Sequence, residues 1–254
     1  MKALILDFDG VIADSAKESF LVAVQAYLHE CPKSLLVHRK SRELYQPFRD
    51  LMPLGNRAED FGTALAALEK ELTFEDQEAY DRFRAKQDPL WLAQFHSRFY
   101  RVRATMAERD PDRWRALMRP FPPLLEFLRR RAGQTAYAIA TAKDRPSVEA
   151  LLEDYGATDL FPGHLILDKE TGETKAAHLE RLRELLGVEY AEMTFVDDKV
   201  NHLDAVASLG VRCALATWGF NGMREHELAI RRGYLMLTLE NLDEKLFDKV
   251  PATH

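Results

Sequence analysis

Leu4-Ile-Leu-Asp7-Phe-Asp9-Gly10 is the stretch that decides how this chain is read. An uninterrupted apolar run, Ala3 to Leu6, ends in two acids two residues apart. The run has no polar alternation, as expected of a strand buried on both faces of a parallel sheet. Residues i and i+2 share a strand face, so Asp7 and Asp9 can point into one site. Gly10 lets the backbone turn sharply beside them. An acidic pair at a strand end is more often ordinary turn chemistry, so this motif alone does not establish a function.

Working outward, similar short apolar runs recur at Ala136–Ala140, Leu165–Leu167, Thr194–Val196, Cys213–Leu215 and Leu235–Leu237. Amphipathic stretches lie between them. Leu179, Leu182 and Leu186 follow helical spacing, as do Ala205 and Leu209. Alternation of strand and helix predicts an α/β fold with a parallel sheet. Residues 16–119 break the rhythm. They carry no convincing strand and are rich in Arg, Glu, Leu, Phe and Tyr at helical spacing. Ser15-Ala-Lys-Glu18 reads as a capping box that starts a helix directly after the first strand. Pro47, Pro53, Pro89 and Pro111 divide the interval into several helices, and Pro120-Phe-Pro-Pro123 marks the return. The expected organisation is an α/β core domain of residues 1–15 and 120–254, with a helical domain, 16–119, inserted into it.

Three further positions bear on chemistry. Thr194-Phe-Val-Asp197-Asp198 is another apolar strand ending in acids. Adjacent carboxylates repel unless a cation lies between them or one keeps its proton. A hard divalent cation such as Mg²⁺ suits their oxygens, although Asp198 also precedes a helix and could be its N-cap. Thr141 closes the run Tyr137-Ala-Ile-Ala-Thr141, and Ala142 and Lys143 follow before the next helix. A hydroxyl with backbone N–H groups at such a turn can hold an anion. Lys175 opens the helix of Leu179 and Leu182, where a cation opposes the helix dipole at a cost of about 0.3–1 kcal/mol. That cost hints at a role, with a solvated surface lysine as the alternative. Ligands of open α/β sheets bind beyond the carboxyl ends of the strands. Acids, a hydroxyl and a lysine there supply what phosphoryl transfer requires.

These motifs, in this order, resemble those of the haloacid dehalogenase-like hydrolases, and within them the phosphoglycolate-phosphatase-like branch. The resemblance covers about residues 1–15 and 120–254. It rests on Asp7-Phe-Asp9-Gly10-Val-Ile, Thr141-Ala-Lys143, Lys175, and Asp197-Asp198 with Asn201; Thr217-Trp-Gly219-Phe is similar as well. It implies a Rossmann-like core and an all-helical cap inserted after the first motif. It also implies an Mg²⁺-dependent phosphatase acting on a small phosphorylated metabolite. Asp7 is then the nucleophile and forms an aspartyl-phosphate, while Asp9 protonates the leaving oxygen and later activates water. Thr141, Ala142, Lys143 and Lys175 bind phosphate. The metal takes a side-chain oxygen of Asp7, the backbone carbonyl of Asp9 and the Asp198 carboxylate, with Asp197 reached through water. Dehalogenases of the family lack the second acid of the first motif, which is present here as Asp9. A phosphomutase or phosphonate-cleaving enzyme keeps both acids and remains an alternative. So does a non-catalytic binding or regulatory protein on the same core. His202 stands where many members carry another acid, and the insertion is longer than usual in this branch.

Composition sets the remaining bounds. The 254 residues are 46% hydrophobic and 30% charged, as in a globular protein able to bury a sizeable core. A net charge of −6 argues against nucleic acid as the main partner. Cys31 and Cys213 are too few for a disulfide framework, and the cytoplasm is the expected compartment. No run approaches ~20 apolar residues, so no membrane span is expected, and the first apolar run is too short for a signal peptide. The basic residues Arg39, Lys40, Arg42, Arg49, Arg57, Arg98, Arg101 and Arg103 are interleaved with acids. They read as a salt-bridged surface ahead of an anion site. Tyr45, Trp91, Phe95 and Phe99 read as core ahead of a substrate lining.

Overall fold

The computed structural model describes residues 1–55, 57–172 and 174–247. The chain divides into two compact units, Met1–Asp14 with Pro120–His254, and Ser15–Arg119. It begins with β1 (Ala3–Leu6) and a two-residue β2 (Ala13–Asp14). Six α-helices follow among the described residues: α1 (Ala16–Glu30), α2 (Ser41–Leu51), α3 (Ala58–Glu69), α4 (Gln77–Arg84), α5 (Pro89–Arg109) and α6 (Pro111–Arg115). A short β3 (Arg119–Pro120) leads into α7 (Pro122–Arg130), β4 (Ala136–Ala140), α8 (Arg145–Asp154), β5 (Ile166–Leu167) and α9 (Lys175–Leu186). The remainder is β6 (Met193–Asp197), α10 (Val200–Ala207), β7 (Arg212–Ala216), α11 (Met223–Arg231), β8 (Leu235–Leu237) and α12 (Leu242–Leu246).

Six strands form one sheet in the order β5-β4-β1-β6-β7-β8, with parallel neighbours throughout. This is an α/β Rossmann-like core, as the strand–helix alternation predicts. The winding reverses between β1 and β6, where ligands of doubly wound sheets bind. Leu6 pairs with Ile139 on β4 and with Val196 on β6. The next residues, Asp7, Ala140 and Asp197, therefore end three neighbouring strands at one level.

Burial accounts for the missing alternation. All four residues of β1 are buried. Ala3 and Ile5 share a cluster with Leu179 and Leu182 of α9 and Leu203 and Val206 of α10. Fully burying one Leu or Ile contributes about 1.5–3 kcal/mol, against a spread of about 1 kcal/mol in β-propensity. That margin explains how an alanine-rich segment such as β4 is held as a strand. The apolar run from Leu165 is strand only at Ile166 and Leu167, because Leu165 closes a 3₁₀ turn, Gly163–Leu165.

In the helical unit Phe20, Phe48, Phe95 and Phe99 are core, whereas Tyr45 and Trp91 are only partly buried. Phe20 meets Tyr45 and Phe48, Phe48 meets Phe61, and Phe61 meets Phe99, with ring centroids 5.3–5.7 Å apart. Of the basic residues, Arg98 pairs with Glu30 at 2.8 Å and Arg103 with Glu18 at 2.7 Å. Two local expectations are corrected. Pro47 lies inside α2 instead of breaking it. An interior proline costs about 3 kcal/mol, and burial of Leu44, Phe48 and Leu51 on the same helix offsets it. Ser15 is the N-cap of α1 but makes no side-chain cap bond, and its buried hydroxyl has no partner. Glu18 is turned away from the helix end. Its two carboxylate oxygens accept from Arg103 Nε and Nη2, each at 2.7 Å, and Trp114 Nε1 donates to it at 3.2 Å. A bidentate charged pair outweighs a neutral cap of about 1 kcal/mol.

Both cysteines are free thiols, Cys213 buried and Cys31 partly so. Burial pushes the Cys213 thiol up to about 11. Among the described residues no helix is long and apolar enough to cross a membrane.

Candidate active site

Asp7 ends the central strand and is buried. Its backbone N–H still belongs to the sheet, donating to Val196 O at 2.9 Å. Asp7 Oδ1 accepts from Phe8 N at 2.7 Å, which leaves Oδ2 facing Lys175 Nζ at 3.0 Å. Lys175 also lies 3.2 Å from Asp197 Oδ2 and donates to Ala140 O at 2.7 Å. Three N–H groups thus meet three acceptors, drawn from the ends of β1, β6 and β4. Burial works against the lysine's charge, but Asp7 and Asp197 outweigh it and hold its pKa above the ordinary value. The solvated-surface alternative for Lys175 is overturned.

Asp197 is fully buried and engaged on both oxygens. Oδ1 accepts from Lys199 N at 2.9 Å, and His202 Nδ1 lies 3.1 Å from both oxygens. Burial opposes its ionisation, yet His202 and Lys175 keep it below the usual carboxylate range. Asp7, Asp197 and His202 each offer a ligand atom within 4.8 Å of the others. In this arrangement the Lys175 ammonium already occupies the side between Asp7 and Asp197.

Asp198 points elsewhere. Its Oδ2 accepts from Phe220 N at 2.7 Å, whereas Oδ1 is buried with no hydrogen-bond partner. Burial, with Asp197 next to it, pushes this carboxyl well above the usual range. Two glycines close around it. A Cβ on Gly10, whose φ is +82°, would lie 2.2 Å from Asp198 Oδ2, and one on Gly219 would lie 2.3 Å from Asp198 Cβ. The segment after β7 completes the cradle. Trp218 Nε1 donates to Val11 O at 3.0 Å, and Asn221 Nδ2 donates to Asp198 O at 3.0 Å. Sequence reasoning gave Gly219, Phe220 and Asn221 no role. The available signal was Thr217-Trp-Gly-Phe at another strand end.

Thr141 continues from β4 and is buried. Its N–H donates to Leu167 O at 2.9 Å, and its hydroxyl oxygen accepts from Lys143 N at 3.2 Å. The expectation of open N–H groups at this turn therefore fails for both residues. Lys143 turns back to Asp9, with Nζ 3.2 Å from Oδ1 and 3.4 Å from Oδ2. Asp168, which follows β5, was also overlooked. It ties the start of α8 to α9, accepting from Arg145 N at 3.0 Å on Oδ2 and from His178 Nε2 at 2.9 Å on its backbone oxygen. An acid directly after a strand was the sign that could have revealed it.

The sequence model of the haloacid dehalogenase-like hydrolases matches residues 1–210, a span that contains every one of these acids and both lysines. The chain belongs to that family. Solved structures agree on the fold of this haloacid dehalogenase-like chain. A predicted phosphoglycolate phosphatase from Haemophilus somnus superposes with a TM-score of 0.65 at 17% identity, over 96% of this chain and 97% of that one. A protein assigned the same way from Lactobacillus delbrueckii subsp. bulgaricus gives 0.68 at 17% identity, over 97% and 99%. A family hydrolase from Deinococcus radiodurans, solved with bound phosphate and sodium, gives 0.60 at 20% identity, over 97% and 95%. No curated protein matches.

Proposed function

We propose that the protein is a phosphoric monoester hydrolase, an Mg²⁺-dependent phosphatase that acts on a small phosphorylated metabolite through an aspartyl-phosphate on Asp7. The observation that carries this reading is the pairing of Asp7 with a buried lysine at the end of the central strand, 3.0 Å apart. The pairing leaves a carboxylate oriented for attack and a cation beside it to receive a phosphoryl oxygen. In this reading Asp7 attacks phosphorus in line. As Asp7 attacks, a phosphoryl oxygen replaces Asp7 Oδ2 as an acceptor of the Lys175 ammonium, and the Thr141 hydroxyl holds another in the turn formed with Ala142 and Lys143. Asp9 gives a proton to the departing oxygen and then takes one from the water that cleaves the intermediate.

The residues present fit a hard divalent cation. Asp198 Oδ1 is a buried, unpartnered carboxylate oxygen, which calls for a cation or a proton. The ligands that the reading assigns are oxygens, as Mg²⁺ prefers. Asp7, the backbone carbonyl of Asp9 and Asp198 would hold the ion, which when bound neutralises the charge of the phosphate. Asp197, expected to reach the metal through water, has both oxygens engaged by the chain. It serves here by fixing Lys175. The insertion, residues 16–119, is read as the cap that selects the substrate, and the free thiols fit a cytoplasmic enzyme.

Turnover of a generic aryl phosphate and of a panel of phosphorylated metabolites tests the reading. Hydrolysis should require Mg²⁺, stop in EDTA, recover poorly with Ca²⁺ and vanish in Asp7→Asn. Full activity in EDTA, with bound metal verified absent, would refute it.

A further inference from the structure

We infer that Lys143 is a positioning residue for Asp9 and that its ammonium does not act as a phosphate ligand. The inference rests on the phosphatase reading and specifies how the acid–base group of that site is held. The two lysines of the site divide its carboxylates. Lys175 satisfies its three N–H groups with Asp7, Asp197 and Ala140 O. Lys143 takes Asp9, spanning both of its oxygens at 3.2 and 3.4 Å.

Burial makes the second pairing consequential. The Lys143 side chain is 0% exposed, while that of Asp9 is 33% exposed. A buried ammonium requires an opposite charge, and the charge it meets here is Asp9. A partly exposed aspartate can adopt several side-chain orientations. Contact with a buried lysine selects the one that faces Lys143. Lys143 is itself held, because its N–H donates to the Thr141 hydroxyl oxygen at 3.2 Å and Thr141 N–H is tied to Leu167 O on β5. The end of β4, the strand next to β1, therefore helps to set the orientation of Asp9. Paired with the ammonium, Asp9 is held as the carboxylate that takes the proton from water, and a base held in one geometry acts without first searching for it, which is the benefit of orientation in catalysis.

The test is a double-mutant cycle on turnover, with inorganic phosphate binding measured alongside. Lys143→Met fills the same space without the charge, and Lys143→Arg keeps a cation as the conservative rescue. With a poor leaving group, Lys143→Met should lower turnover by no more than Asp9→Asn does, a loss of roughly 10²–10⁴-fold for a proton shuttle. In an Asp9→Asn background, assayed with an activated aryl phosphate in single turnover, Lys143→Met should change the rate by less than about twofold, the usual scatter of additivity. Affinity for inorganic phosphate should be unchanged in Lys143→Met, and Lys143→Arg should recover part of the turnover. A crystal structure of Lys143→Met should show Asp9 in another orientation. Equal losses in both backgrounds together with weakened phosphate binding would make Lys143 a phosphate ligand and overturn the inference. So would wild-type turnover in Lys143→Met, or an unmoved Asp9 in its structure. A wild-type protein inert towards all phosphate monoesters would instead defeat the phosphatase reading, and the position of Asp9 in Lys143→Met would still decide whether the lysine holds it.

Discussion

Glu18→Gln distinguishes a helix cap from a buried ion pair. In a capping box Gln serves as well as Glu, so the change would cost little, while Ser15→Ala would cost about 1 kcal/mol. The structure reverses that order. The Glu18 side chain is 0% exposed and that of Arg103 is 12% exposed, so water screens the pair only slightly. Gln would set an amide N–H₂ against a guanidinium, donor against donor, and remove the charge that Arg103 meets on Glu18. Breaking a buried pair costs about 3–5 kcal/mol. One oxygen survives as an amide acceptor, which places the loss near the lower end, about 3 kcal/mol. With a urea slope near 2 kcal/mol per molar, the midpoint should fall by about 1.5 M. Trp91 and Trp114 report on the helical unit and Trp218 on the other, so unfolding is followed by fluorescence in a Trp218→Phe background. A Glu18→Gln protein that unfolds within about 1 kcal/mol of its parent, while Ser15→Ala loses more, would refute the ion pair as the dominant interaction of Glu18.

Three further outcomes are expected. Gly219→Ala places a Cβ 2.3 Å from Asp198 Cβ and 2.5 Å from Gly10 O, so Mg²⁺ affinity by calorimetric titration should drop about tenfold or more; unchanged affinity would separate this cradle from the metal. Lys175→Met should cut turnover by about 10²–10³-fold and, in EDTA, should also destabilise the fold by about 3 kcal/mol, because Asp7 and Asp197 lose the ammonium between them. A variant as stable as the wild type would contradict that balance. For Asp168, burial opposes ionisation but the Arg145 N–H and the Thr171 hydroxyl outweigh it, so the folded carboxyl titrates below the usual range. Its contribution is complete above about pH 4 and is lost as pH falls through the folded value. Asp168→Asn should therefore flatten the loss of unfolding free energy between about pH 4 and pH 2, and parallel curves for the two proteins would exclude the effect.

The amino-acid sequence by itself determined the α/β class, the strands and the acids at their ends. β1, β4 and β8 coincide with the apolar runs Ala3–Leu6, Ala136–Ala140 and Leu235–Leu237. These features are local, since an apolar run that must be buried on both faces can only be a strand within a covered sheet. Residue type and order likewise pointed to Asp7, Thr141, Lys175 and Asp198. Only the tertiary structure decided which charge meets which. Lys175 looked like a mild cost to its own helix until the fold placed it between Asp7 and Asp197. Glu18 looked like a cap until Arg103, far along the chain, claimed it. Lys143 and Asp9 are 134 residues apart in sequence and in contact in space. Composition and spacing describe neighbours along the chain. A buried charge is partnered by neighbours across the fold, and the energy of that long-range pairing exceeds the local preferences that a sequence displays.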